Sequence, residues 1–66
     1  MMNFVATFEQ LSGLAFSVDA IDVDSVSEHD ETGIGPWCEI HHGHNRCTAV
    51  KGTHKAVMEA LEKARG

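Results

Sequence analysis

The sequence has no long apolar run, a single proline and only two cysteines. No segment approaches the roughly 20 apolar residues that span a bilayer, and residues 1–4 lack the basic head and apolar middle of a signal peptide. We therefore expect a cytoplasmic protein that makes no membrane contact. Cytoplasmic cysteines are normally reduced, so Cys38 and Cys47 are expected to be free thiols, with a disulfide as the alternative.

Low-complexity segments are also absent, and a content of 42% hydrophobic and 23% charged residues is typical of a folded globule. A chain of 66 residues buries only about 60% of the surface that its unfolded form exposes, so it supports one core. A ligand cleft of roughly 300–1,000 Å³ would leave little of that core. Residues 1–66 are therefore predicted to form a single domain that binds a partner through its surface and is not an enzyme.

Two series of apolar residues at every second position predict an antiparallel hairpin in the first part of the chain. The Ser12-Gly13 step between them supplies the turn, because glycine accepts the positive φ that tight hairpins require. The two series are Phe4, Ala6 and Phe8, followed by Leu14, Phe16 and Val18.

A third extended segment is predicted from Ile21 to the vicinity of Glu28. The apolar spacing slips from two to three between Val23 and Val26, which indicates a bulge or bend. The run 29–36 that follows is polar and contains two glycines and the proline, so it is predicted to be the longest loop and the most mobile segment.

A second hairpin is predicted from two strands, 37–42 and 46–51, on either side of Gly43-His44. Glycine at the first central position suits a two-residue type II′ turn. With that turn, one face of the hairpin carries Cys38, Ile40, Cys47 and Ala49. This is the pattern of two small core cysteines covered by a helix.

The last element is predicted to be a helix over residues 54–64, with Thr53 as its N-terminal cap. Its apolar positions follow the spacing of an amphipathic helix and are Val57, Ala60, Leu61 and Ala64. Strands followed by one helix predict the α+β class. The expected architecture is an antiparallel four-stranded meander of two hairpins, covered by the C-terminal helix.

Lysine and arginine are absent before Arg46, whereas residues 1–45 carry eight acids. One side of the domain should be strongly negative, either for solubility or to dock on a basic partner, including one that normally holds nucleic acid. Direct nucleic-acid binding is disfavoured, because a net charge of −5 does not neutralise phosphates. The candidate partner-binding residues are Asp19, Asp22, Asp24, Glu28, Asp30, Glu31 and Glu39, with Trp37 as an aromatic anchor.

Cysteines and histidines crowd the second predicted hairpin. Four of them, Cys38, His41, His44 and Cys47, have the donor atoms of a tetrahedral zinc site, which would stabilise a small domain. The spacing argues against zinc, because all four lie on one hairpin whose alternation sends His41 and His42 to opposite faces. Core cysteines are favoured and no cofactor is expected, with zinc, a redox role and a pH-sensing histidine cluster as alternatives.

From Ala20 to Ala64 the chain runs I-x-V-x-x-V, a polar loop, C-E-I, a Gly-centred turn and T-A-V-K-G-T-H-K-A-V-M-E-A-L. This layout, about two-thirds of the chain, resembles the small FlbD-like swarming-motility proteins and several short phage-encoded accessory proteins. FlbD-like proteins have a plain Asn-Gly turn where this sequence is His-rich, so their motility role is not carried over. The second resemblance implies a host-interaction role, as in anti-CRISPRs that occupy basic nucleic-acid sites on host complexes.

Together these observations predict a non-catalytic protein-binding module, monomeric or homodimeric, that inhibits a host complex on behalf of a phage or prophage. It would act in the bacterial cytoplasm by docking acids on a basic protein surface. A zinc-stabilised structural domain and a FlbD-like bacterial accessory protein are the alternatives.

Overall fold

The structure is a computed structural model that describes residues 4–66. Its elements are β1 (Val5–Glu9), β2 (Ala15–Asp19), a 3₁₀ helix (Ala20–Asp22), β3 (Val23–Glu31), β4 (Gly35–His42), β5 (Arg46–Lys51) and α1 (His54–Arg65). β1 and β2 form one antiparallel sheet, and the other has the strand order β3-β4-β5. The predicted α+β class is confirmed. The four-stranded meander is wrong, because the described residues form five strands in two sheets, with the 3₁₀ helix interrupting the chain between them.

The first hairpin forms as predicted. Ala6 pairs with Val18 and Phe8 with Phe16, which places the predicted apolar series on one face. Ala6 and Val18 are buried in the core. Gly13 has a φ of 94° in the turn, in the region that favours glycine.

The third strand begins and ends later than predicted: it starts at Val23, because Ile21 lies in the 3₁₀ helix, and it continues past Glu28 to Glu31. The loop after it is shorter than predicted. The predicted bulge is confirmed, because the register with β4 shifts between Val23 and Ser25. The long loop over 29–36 is wrong: β3 continues to Glu31 and β4 begins at Gly35, so only 32–34 connect them. The polar composition of 29–36 suggested a loop. A polar strand is stable here because β4 forms hydrogen bonds with its backbone N–H and C=O groups.

The second hairpin has a three-residue connection in place of the predicted two-residue turn. His42 pairs with Arg46, and both Gly43 (φ 58°) and Asn45 (φ 61°) adopt left-handed backbone conformations. Asparagine tolerates this conformation better than most residues. The additional residue reverses the predicted faces of β5, so Cys47 is exposed and the shared face of two core cysteines is wrong.

The C-terminal helix and its cap are confirmed. The Thr53 hydroxyl accepts a hydrogen bond from the Ala56 N–H at 3.1 Å. Val57 and Leu61 are buried against the inner face of the three-stranded sheet, where Ile40 and Val50 have no exposed surface. Each such side chain contributes roughly 1.5–3 kcal/mol by leaving water. This shared core joins α1 to both sheets.

The first hairpin also contacts β5 directly. Gln10 forms an isolated antiparallel bridge with Val50 of β5. Beside it, Lys51 Nζ lies 3.0 Å from Glu9 Oε2. No helix within residues 4–66 has the length and apolarity needed to cross a membrane.

Candidate protein-binding surface

β3 is an edge strand and carries most of the candidate acids. It pairs with β4 on one side, and no other described strand pairs with it on the other. Val26, Glu28 and Asp30 pair with residues on the helix-covered face of the sheet, whereas His29 and Glu31 lie on the open face. The strand therefore displays acids on both sides of one sheet edge.

Glu28 has a structural role. Its Oε2 accepts a hydrogen bond of 2.8 Å from the backbone N–H of His54, the first residue of α1. A carboxylate at this position satisfies a free N–H and interacts favourably with the helix dipole. Glu28 thus attaches the start of α1 to the edge strand and is less available to a partner.

Asp19 and Glu39 are also engaged within the fold. Asp19 Oδ1 accepts from the Ile21 N–H at 3.0 Å and caps the 3₁₀ helix. Glu39 Oε1 lies 3.3 Å from His29 Nε2 and 4.0 Å from His41 Nε2, so one carboxylate faces two imidazoles on the open face. The contact with His29 is at ion-pair distance but lacks hydrogen-bond geometry.

The four remaining acids are exposed: Asp22, Asp24, Asp30 and Glu31. Within residues 4–66 their side chains form neither a hydrogen bond nor an ion pair. At about 3.3 Å per residue, Asp24 and Asp30 are separated by about 20 Å along β3. We call these four residues the acidic edge. Because no described cation neutralises them, their negative field extends into solvent.

Trp37 lies in a strand, β4, as predicted, but the long loop that was predicted directly before it is absent, because residues 35 and 36 also belong to β4. Its ring stacks on His29, the directly opposite residue, with a centroid distance of 4.3 Å and an interplanar angle of 17°. Trp37 is partly buried, and its Nε1 has no hydrogen-bond partner in the described part of the chain. His29 was missed from the sequence, because assignment to a loop hid its pairing with Trp37.

The four predicted zinc-ligand candidates are not brought together. Cys38 is buried on the helix-covered face, whereas Cys47 pairs with His41 on the open face. His44 lies in the connection between β4 and β5. Among residues 4–66 no three His, Cys, Asp or Glu side chains converge on a point that suits a metal ion.

The two thiols differ in environment. Burial, and to a smaller extent the negative charge of Glu28, raise the pKa of Cys38 above its ordinary value of 9.0. Cys38 Sγ lies 3.5 Å from the Gly52 carbonyl oxygen and donates to it. The protonated thiol is therefore the favoured form of Cys38.

The described residues enclose no pocket. No protein-family model matches the chain, and neither a curated protein nor a solved structure shows significant similarity to it.

Proposed function

We propose that this protein is a non-catalytic binding module that docks its acidic edge on a basic protein surface in the cytoplasm. The observation that carries the proposal is the placement of Asp22, Asp24, Asp30 and Glu31. Asp24, Asp30 and Glu31 are exposed on the edge strand β3, and Asp22 is exposed at the end of the 3₁₀ helix directly before it. None of the four makes a side-chain contact that neutralises it within the described residues.

Electrostatic complementarity explains how such a surface would select its partner. Complementary charge accelerates encounter and fixes orientation, and a net charge of −5 opposes contact with phosphates. A protein surface that normally holds nucleic acid is basic, so it belongs to the partner class this edge fits. In its fuller form the proposal is that the module inhibits a host nucleic-acid-binding complex, and this part rests on the layout of the sequence alone.

Capture from a bacterial lysate on immobilised protein, followed by mass spectrometry, identifies candidate partners. Each candidate is then purified and its binding measured with the wild-type protein and with a variant that carries Lys at all four acidic-edge positions. Circular dichroism checks that the variant is folded. Loss of binding by a folded variant supports the proposal, and undiminished binding rejects it.

A further inference from the structure

We propose that β3 binds its partner by strand addition, with an extended basic segment of the partner pairing along the free edge of the three-stranded sheet. This inference rests on the proposed function and specifies its geometry. It separates two ways of using the same acids, side-chain docking alone or docking together with main-chain pairing.

The backbone of β3 supports main-chain pairing. β3 spans nine residues, the longest strand of the described chain, and its partner is β4. The Val23 N–H donates to the Ala20 carbonyl of the 3₁₀ helix, but the backbone N–H and C=O groups of residues 24–30 form no backbone–backbone hydrogen bond with a described residue outside β4. At such an edge every second residue directs its N–H and C=O outward, and an extended chain can satisfy them.

The negative charges on β3 favour a basic segment of another protein over a second copy of this chain. In an antiparallel pair of two β3 strands centred on Ser27, Asp24 of each copy would lie opposite Asp30 of the other. Like charges directly opposite each other destabilise a strand pair, so a second copy is a poor partner in this register. A partner segment that places Lys or Arg opposite Asp24 and Asp30 would be attracted to β3 and not repelled.

The C-terminal end of β3 is also accessible to a partner. Asp30 and Glu31 are exposed, and so are residues 32–34 of the connection to β4. An added strand would therefore approach the acidic edge at Asp30 without first displacing another described element. At the other end, the bulge at Asp24 interrupts regular pairing and limits the added segment to roughly six to eight residues.

The test uses a capped ten-residue peptide of alternating Lys and Thr, titrated into the full chain at 0.15 M salt. A matched peptide carries N-methyl groups on its four central backbone nitrogens, which removes donors from both edges and keeps the charge. We expect the first peptide to bind and the methylated peptide to bind about tenfold more weakly, since each lost main-chain bond costs about 0.5–1.5 kcal/mol. Amide hydrogen exchange should slow in β3 and not in β5.

Equal binding of the two peptides would overturn strand addition and leave side-chain docking by the acidic edge intact. Absence of binding by the unmodified peptide would also overturn it, as would protection confined to β5. The proposed function is tested separately, because a folded basic partner that binds wild-type protein and not the four-Lys variant supports docking whatever the peptides do. The Glu59→Lys/Glu62→Lys variant, altered on α1, should retain peptide binding and serves as the protein control.

Discussion

Glu28 and His54 connect the edge strand to the helix, with Glu28 Oε2 2.8 Å from the first backbone N–H of α1. This contact joins residues 26 positions apart in sequence. It also removes Glu28 from the set of acids that are free to contact a partner.

Substitution Glu28→Ala should lower the free energy of unfolding by about 1 kcal/mol, because α1 loses one capping acceptor and a favourable charge at its N-terminus. Urea unfolding followed by circular dichroism measures the change. Glu31→Ala, on the same strand but without a described side-chain contact, is the matched control and should stay within about 0.5 kcal/mol of wild type. Equal effects of the two substitutions would contradict the capping role.

Leu61 is fully buried between α1 and the sheet. Leu61→Ala should destabilise the fold by about 2–5 kcal/mol, because it removes buried apolar surface and leaves a cavity. Leu14, which is 68% exposed, provides the control. Leu14→Ala should have little effect in the same urea experiment, and a comparable loss at both sites would contradict the assigned core.

The two cysteines should differ in reactivity. Exposed Cys47 should react with a thiol reagent such as dithionitrobenzoate in the folded protein, whereas buried Cys38 should react only when the chain unfolds. Single variants Cys38→Ala and Cys47→Ala assign the fast and slow phases. A fast phase that persists in Cys47→Ala at low denaturant would show that Cys38 is accessible.

The raised pKa of Cys38 gives a direction for stability at alkaline pH. Above pH 9.0 the unfolded chain releases the Cys38 proton more readily than the folded protein does, so the unfolded state binds fewer protons. Stability is therefore retained below pH 9.0 and should fall as the pH rises above it. The comparison is between the Cys47→Ala variant and the Cys38→Ala/Cys47→Ala double variant. Between pH 8 and pH 10 the free energy of unfolding should fall more in the variant that keeps Cys38. Equal slopes would contradict the assignment.

Local sequence patterns were sufficient to predict the first hairpin and the helix. Val57 and Leu61 repeat at helical spacing after Thr53, and Ala6 and Val18 occupy matching positions of two alternating series. In each case the residues that define the element lie within it or in the adjacent strand. Their burial follows directly from that periodicity.

Two of the wrong predictions, a loop over 29–36 and a core position for Cys47, concern features that depend on contacts between strands. His29 belongs to β3, where it pairs with Trp37 of β4 and stacks on its ring, a contact that the polar composition of 29–36 does not reveal. Likewise, one additional residue in the turn, Asn45, was enough to move Cys47 from the core to the open face. Backbone conformation at a turn is not encoded by apolar periodicity.

The sequence predicted the negative charge of the candidate surface but not which of its acids are free to contact a partner. The absence of Lys and Arg before Arg46 indicated a negative side. Which acids are free depends on tertiary partners, since Glu28 meets the helix and Glu39 meets two histidines. Those contacts reduce the predicted set to the acidic edge.

The most direct test of the central claim compares two folded variants with the same charge change, Asp30→Lys/Glu31→Lys on β3 and Glu59→Lys/Glu62→Lys on α1. Each reversal adds two units of charge, so both variants change the net charge from −5 to −1. The measurement is the dissociation constant for the purified basic partner at 0.15 M salt. Docking through the acidic edge predicts at least about tenfold weaker binding for the β3 variant and a much smaller change for the α1 variant. Equal weakening by both variants would mean that net charge, and not the β3 edge, governs binding.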